Sequence, residues 1–111
     1  MTTIQRRAMV VEDDALVASL ISSALEKANF QVAKAASVAE ARRVVDDFDP
    51  DVVLIDISLG DGPNGIDLAR LLSRTRPDIA GLILTRHPDA RTAGVTSDVP
   101  AGYGFLRKET V

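Results

Sequence analysis

The sequence predicts an α/β fold, a doubly wound five-stranded parallel sheet in the order 2-1-3-4-5. Three observations point there. Short apolar runs without internal charge, Ala8–Val11, Val53–Ile55 and Ala80–Leu84, read as strands, the first of them buried and the second buried on both faces. Stretches with helical spacing separate them, and strands alternating with helices argue for a parallel sheet covered on both sides. Two of the runs end directly in acids, Glu12-Asp13 and Asp56. Carboxyl ends of parallel strands are where open α/β sheets keep their ligand sites.

Each element has its own grounds. The first strand is Ala8-Met9-Val10-Val11. A helix follows at once, capped by Asp14, whose carboxylate can accept an orphan N–H and suits the positive helix end. Leu16, Leu20, Ala24 and Ala28 step by four along it, with Ile21 and Leu25 beside them. Asn29, tolerant of the left-handed conformation, ends it. Phe30 to Ala36 alternates only partly and reads as an edge strand. Ser37-Val38-Ala39-Glu40 is a capping box. It opens a helix with Val38, Ala41, Val45 and Phe48 on one side, broken by Pro50.

Asp51 to Ile55 is the central strand. The loop from Ile57 to Gly65 holds three glycines and a proline and must be irregular. A third helix starts at Asn64 or Gly65, carries Ile66, Leu68, Ala69, Leu71 and Leu72, and ends before Pro77. Ala80 to Leu84 is the fourth strand, closed by Thr85. Residues 86–101 show little periodicity and promise at most a short or irregular helix. Tyr103 to Leu106 is the fifth strand, followed by Arg107 and Lys108. Right-handed crossovers leave few topologies. The order 2-1-3-4-5 sets the first and third strands side by side at the switch point.

Composition narrows the function. With 111 residues, 46% of them apolar, the chain can bury one core. Lys and Arg total 13 and Asp and Glu 16, a formal net charge of −3, which gives no ground for nucleic-acid binding. The absence of cysteine excludes disulfides, thiolate metal sites and cysteine nucleophiles. No apolar run reaches membrane-spanning length and the first residues lack a signal-peptide core, so a cytoplasmic protein is expected.

The strand ends carry the chemistry. Adjacent first and third strands bring Glu12, Asp13 and Asp56 into one pocket. Such a cluster repels itself unless a cation relieves it. Oxygen-only donors favour Mg²⁺, Ca²⁺ or Mn²⁺ over zinc, and two or three carboxylates leave room for water and phosphate oxygens, which suits Mg²⁺. Thr85 and Lys108 project to the same end of the sheet. A hydroxyl and an ammonium can hold two oxygens of a phosphoryl group while the metal holds the third. Asp56 is then the candidate nucleophile, giving an aspartyl-phosphate.

Val10-Val11-Glu12-Asp13, Val53-Leu54-Ile55-Asp56, Ile83-Leu84-Thr85 and Gly102-Tyr103-Gly104-Phe105-Leu106-Arg107-Lys108 stand in order, each at a strand end. Over nearly its whole length the chain resembles a response-regulator receiver domain of bacterial two-component signalling. The resemblance implies the flavodoxin-like form of the doubly wound sheet and a phosphorylation-dependent switch. Asp56 would be phosphorylated by a sensor histidine kinase or phosphotransfer protein. Asp13 would bind Mg²⁺ directly and Glu12 through water, with the backbone carbonyl of Ser58 as a further ligand. Thr85 would move toward the phosphoryl group, Phe105 would swing inward in response, and Lys108 would pair with the phosphoryl group. The only chemistry would be the domain's own phosphorylation and dephosphorylation, so it would not be an enzyme acting on others. A homodimer is a further implied partner; nucleic acid and membrane are not.

The departures are specific. Arg86 stands where the family has a small residue, and Glu109 where it has proline. Arg86 is expected to screen Asp56 or pair with an acid of the cluster. The family has a helix after the fifth strand, whereas the chain ends at Val111. Residues 1–111 thus read as a receiver domain truncated before that helix, with apolar surface on the first, third and fifth strands expected to be exposed. These departures support an alternative, a pseudo-receiver used for protein–protein contact without phosphorylation. An aspartate-nucleophile phosphatase needs a second acid two residues after the nucleophile, where this chain has Ser58. A dinucleotide-binding fold needs a glycine-rich turn after the first strand, where this chain has Glu12-Asp13-Asp14.

Overall fold

The computed structural model describes residues 5–57, 59, 65–85, 100 and 102–107, without the side chains of Thr85 and Arg107. Five strands pair in parallel in the order β2-β1-β3-β4-β5, as the sequence predicts. The elements are β1 (Arg6–Val11), α1 (Ala15–Lys27), β2 (Phe30–Ala35), α2 (Val38–Phe48), β3 (Val52–Asp56), α3 (Gly65–Thr75), β4 (Ala80–Thr85) and β5 (Gly104–Arg107). β2 is an edge strand, as its weak alternation predicts. The interval between β4 and β5, illegible in the sequence, falls largely outside the described residues.

Helix ends follow local chemistry. The Asp14 carboxylate accepts from the N–H groups of Leu16 at 2.9 Å and Val17 at 3.2 Å, capping α1. Asn29 takes φ 70° just after it. At α2 the Ser37 hydroxyl accepts the Glu40 N–H at 3.1 Å. The Glu40 carboxylate reaches back to the N–H of Ala36, one residue before the usual partner. Asp49, at φ 51°, ends α2 in the left-handed conformation one residue before Pro50.

Alternation along the strands builds two cores. Met9, Val11, Val53, Ile55 and Ile83 meet Ala41 and Val45 of α2 and Ile66, Leu68, Ala69 and Leu72 of α3. Ala8, Val10, Leu54 and Leu84 face the other way, onto Ile21 of α1. Only part of the apolar set that the sequence marks on α1 faces the sheet. The stripe of α1 on the core is Val17, Ile21 and Leu25, whereas Leu16 and Leu20 are 70% and 60% exposed. Two apolar stripes a residue apart both fit the helical period, and the second is the one packed on the sheet. On this same side of the sheet Val52, Leu82 and Leu106 are only half-buried.

The amino ends of the strands are tied by charge. Arg76, just after α3, pairs with Asp49 and with Asp78 at 3.0 Å, and Arg7 lies 3.6 Å from Asp49. The hydrogen bonds from Arg76 hold the Asp78 carboxyl below its ordinary range. The two aspartates are exposed and the two arginines half-buried, so solvent screens the network and it orients more than it stabilises. Beside it the Tyr103 ring lies over Gly81, where a Cβ would collide with it. Burial pushes the Tyr103 phenol up.

Candidate functional site

The site is assembled by register. Val11 pairs with Ile55, and Asp56 pairs with Leu84, so β1, β3 and β4 end at one level. Glu12 is one residue past Val11, and Asp56 one past Ile55. The period of two puts Glu12 with Val10 and Asp56 with Leu54, both on the α1 side of the sheet. Asp13 follows in the three-residue passage to α1. One carboxylate oxygen from each of Glu12, Asp13 and Asp56 comes within 4.8 Å of the other two. Glu12 and Asp56 are buried, 3% and 5% exposed, while Asp13 is exposed.

Hydrogen bonds hold the acids in place. The Glu12 N–H donates to Ala35 O at 2.9 Å, extending β1 toward β2, and its carboxylate accepts the Asp14 N–H at 3.2 Å. The Ile57 N–H, just past Asp56, donates to Leu84 O at 3.3 Å. The Gly65 N–H donates to Ile57 O at 3.0 Å, closing the loop after the central strand and starting α3 beside Asp56.

At an effective dielectric of about 20, two ionised groups at that separation repel by about 3 kcal/mol. A divalent cation relieves that repulsion. The donors are all oxygen, and the exposed Asp13 leaves a side open to water, so the set fits Mg²⁺, which takes few protein carboxylates and keeps water ligands. The three acids predicted from the sequence are thus brought together.

The other predicted site residues divide. Thr85 is the last residue of β4, paired with Arg107. Its backbone is at the same edge as Asp56, and its side chain lies outside the described residues. Phe105, paired with Ile83, is half-buried and packs on the α3 side of the sheet. Ser58, Arg86, Lys108 and Glu109 lie outside the described residues. One residue beside the site was not singled out from the sequence except as a helix start. Gly65 is buried against the main chain of Asp56.

Comparison with known proteins gives one answer. The family model described as the response regulator receiver domain matches residues 8–110. The photosynthetic apparatus regulatory protein RegA of Cereibacter sphaeroides is 33% identical over 88 residues, covering 79% of this chain and 47% of its own length. The DNA-binding response regulator MtrA of Mycobacterium bovis is 35% identical over 89 residues, covering 80% of this chain and 38% of its own. The chain therefore spans less than half the length of these relatives. Among solved structures, the BeF3-activated N-terminal receiver domain of Klebsiella pneumoniae RstA aligns over 96% of this chain and 88% of its own. Its TM-score is 0.81 and its identity 28%.

Proposed function

The chain belongs to the response regulator receiver domains, and from that premise we propose that Asp56 is the residue that takes the phosphoryl group, from a sensor histidine kinase or phosphotransfer protein, in a Mg²⁺-dependent reaction. Receiver domains serve phosphorylation-dependent signalling. The single observation that carries the assignment to Asp56 is the convergence of Glu12, Asp13 and Asp56 at the ends of β1 and β3.

The chemistry is a transfer between two nucleophiles. An Asp56 carboxylate oxygen attacks phosphorus, the P–N bond to the donor histidine breaks, and the imidazole leaves with the bond's electron pair. Asp13 and Asp56 would hold Mg²⁺ directly, Glu12 through water and Ser58 by its carbonyl. The ion supplies charge neutralisation at the phosphoryl oxygens. Lys108 pairs with one phosphoryl oxygen and the Thr85 hydroxyl with another. The pull on Thr85 draws Phe105 inward, changing the surface beside β5. Hydrolysis of the aspartyl-phosphate resets the switch, so the domain catalyses only its own modification. On this reading residues 1–111 form one receiver domain of a cytoplasmic protein. Its partners are the phosphodonor and, in some states, a second copy; it binds no nucleic acid or membrane itself. No helix among the described residues is long and apolar enough to cross a membrane.

The competing reading is a pseudo-receiver, favoured by Arg86 next to Thr85 in the chain. Beryllofluoride, a phosphoryl mimic, separates the two. With Mg²⁺ it should shift the amide resonances of Thr85 and Phe105. An unchanged spectrum at saturating mimic would support the pseudo-receiver. Arg86 itself is proposed to screen Asp56 from water and small phosphodonors, or to pair with one of the acids. Arg86→Ala should change the loading rate or the half-life of the phosphorylated protein severalfold. Identical loading and decay would remove Arg86 from the account.

A further inference from the structure

We infer that Gly65 is a positioning residue for Asp56: its lack of a Cβ lets the first turn of α3 rest on the Asp56 peptide and hold that carboxylate in the acid cluster. This rests on the reading of Asp56 as the phosphoryl acceptor.

The requirement at Gly65 is space. Its φ is outside the left-handed region, so the backbone conformation alone would suit any residue. A Cβ there would overlap the Asp56 carbonyl oxygen, and would stand 2.8 Å from the Asp56 carbonyl carbon and 2.8 Å from Ile55 Cγ2. Among the described glycines it differs in what it would strike. A Cβ on Gly81 would meet the Tyr103 ring, one on Gly104 the tip of Leu82, and one on Gly102 nothing within 4 Å. Side chains can turn aside, whereas the Asp56 peptide is the end of the central strand.

Something must still yield if a Cβ is added. α3 is fastened to the sheet by Ile66, Leu68, Ala69 and Leu72, all buried, and cannot withdraw without opening that core. The Gly65 N–H also ties the helix start to Ile57 O. On the other side, the strand past Asp56 is held to β4 by the 3.3 Å bond from the Ile57 N–H to Leu84 O. The displacement therefore falls on the Asp56 peptide and carries its carboxylate away from Glu12 and Asp13. A misplacement of about 1 Å at a reacting group costs about 100-fold in rate.

The test compares Gly65→Ala with Val45→Ala, a core truncation in α2 remote from the acids, at a temperature where both are folded by circular dichroism. Two quantities are read: Mg²⁺ affinity, from metal-dependent shifts of the Asp13 amide, and the rate of loading from acetyl phosphate. Gly65→Ala should bind Mg²⁺ several-fold more weakly and load about 10- to 100-fold more slowly. Val45→Ala should match the wild type in both, whatever its loss in melting temperature. If Gly65→Ala does not fold in buffer, trimethylamine N-oxide, which favours compact states, provides the medium for all variants. Wild-type affinity and loading in Gly65→Ala would overturn the inference, as would equal losses in Val45→Ala. A variant unfolded even in the osmolyte would make the glycine a stability residue and overturn it too. If the wild type itself neither binds Mg²⁺ nor loads, the reading of Asp56 is what has failed.

Discussion

Asp13 is the exposed member of the acid cluster, and it carries the cost of having three carboxylates in one place. Removing its charge relieves Glu12 and Asp56, whereas adding a cation relieves all three. Asp13→Asn should therefore melt higher than the wild type without Mg²⁺, and millimolar Mg²⁺ should raise the wild type while leaving the variant nearly unchanged. Calorimetry in chelator and in Mg²⁺ checks both; a wild type indifferent to the metal would mean the acids do not form a cation site. These residues are legible because each acid ends an unbroken apolar run, a pattern with few other causes. Gly65 is legible only as a helix start. Nothing in one chain's sequence shows that the start of α3 lies on the peptide of Asp56, since that contact is made by topology and not by spacing.

The helices show what periodicity decides and what it leaves open. Both caps are readable, because Asp14 and Ser37 are residues that satisfy orphan N–H groups and stand just before helical spacing begins. Asp14→Ala should cost about 1 kcal/mol in urea unfolding. A loss below a few tenths would mean that α1 does not depend on this cap. Which stripe of α1 is buried is not readable. Leu16–Leu20 and Val17–Ile21–Leu25 fit the same period, and tertiary packing on the sheet takes the second. The ion network of Arg76, Asp49, Asp78 and Arg7 is also invisible in sequence, because it joins the ends of three elements distant in the chain.

At the scale of the whole molecule the topology is the most legible feature. Buried parallel strands, short connections and right-handed crossovers allow few arrangements, and the observed order is the expected one. That order makes the site: it sets β1 beside β3 and turns acids 43 positions apart (Asp13 and Asp56) into neighbours. It also leaves Val52, Leu82 and Leu106 half-buried on the α1 side, and Leu16 and Leu20 of α1 exposed.

The central claim, that the acid cluster exists to phosphorylate Asp56, is open to direct chemical reading. The protein is loaded from acetyl phosphate in Mg²⁺, reduced with borohydride, which converts an aspartyl-phosphate to homoserine, and digested for tandem mass spectrometry. The account predicts homoserine at position 56 alone, dependent on Mg²⁺, and none in Asp56→Asn. Homoserine at another aspartate, or none at all under conditions that load other receiver domains, would contradict it.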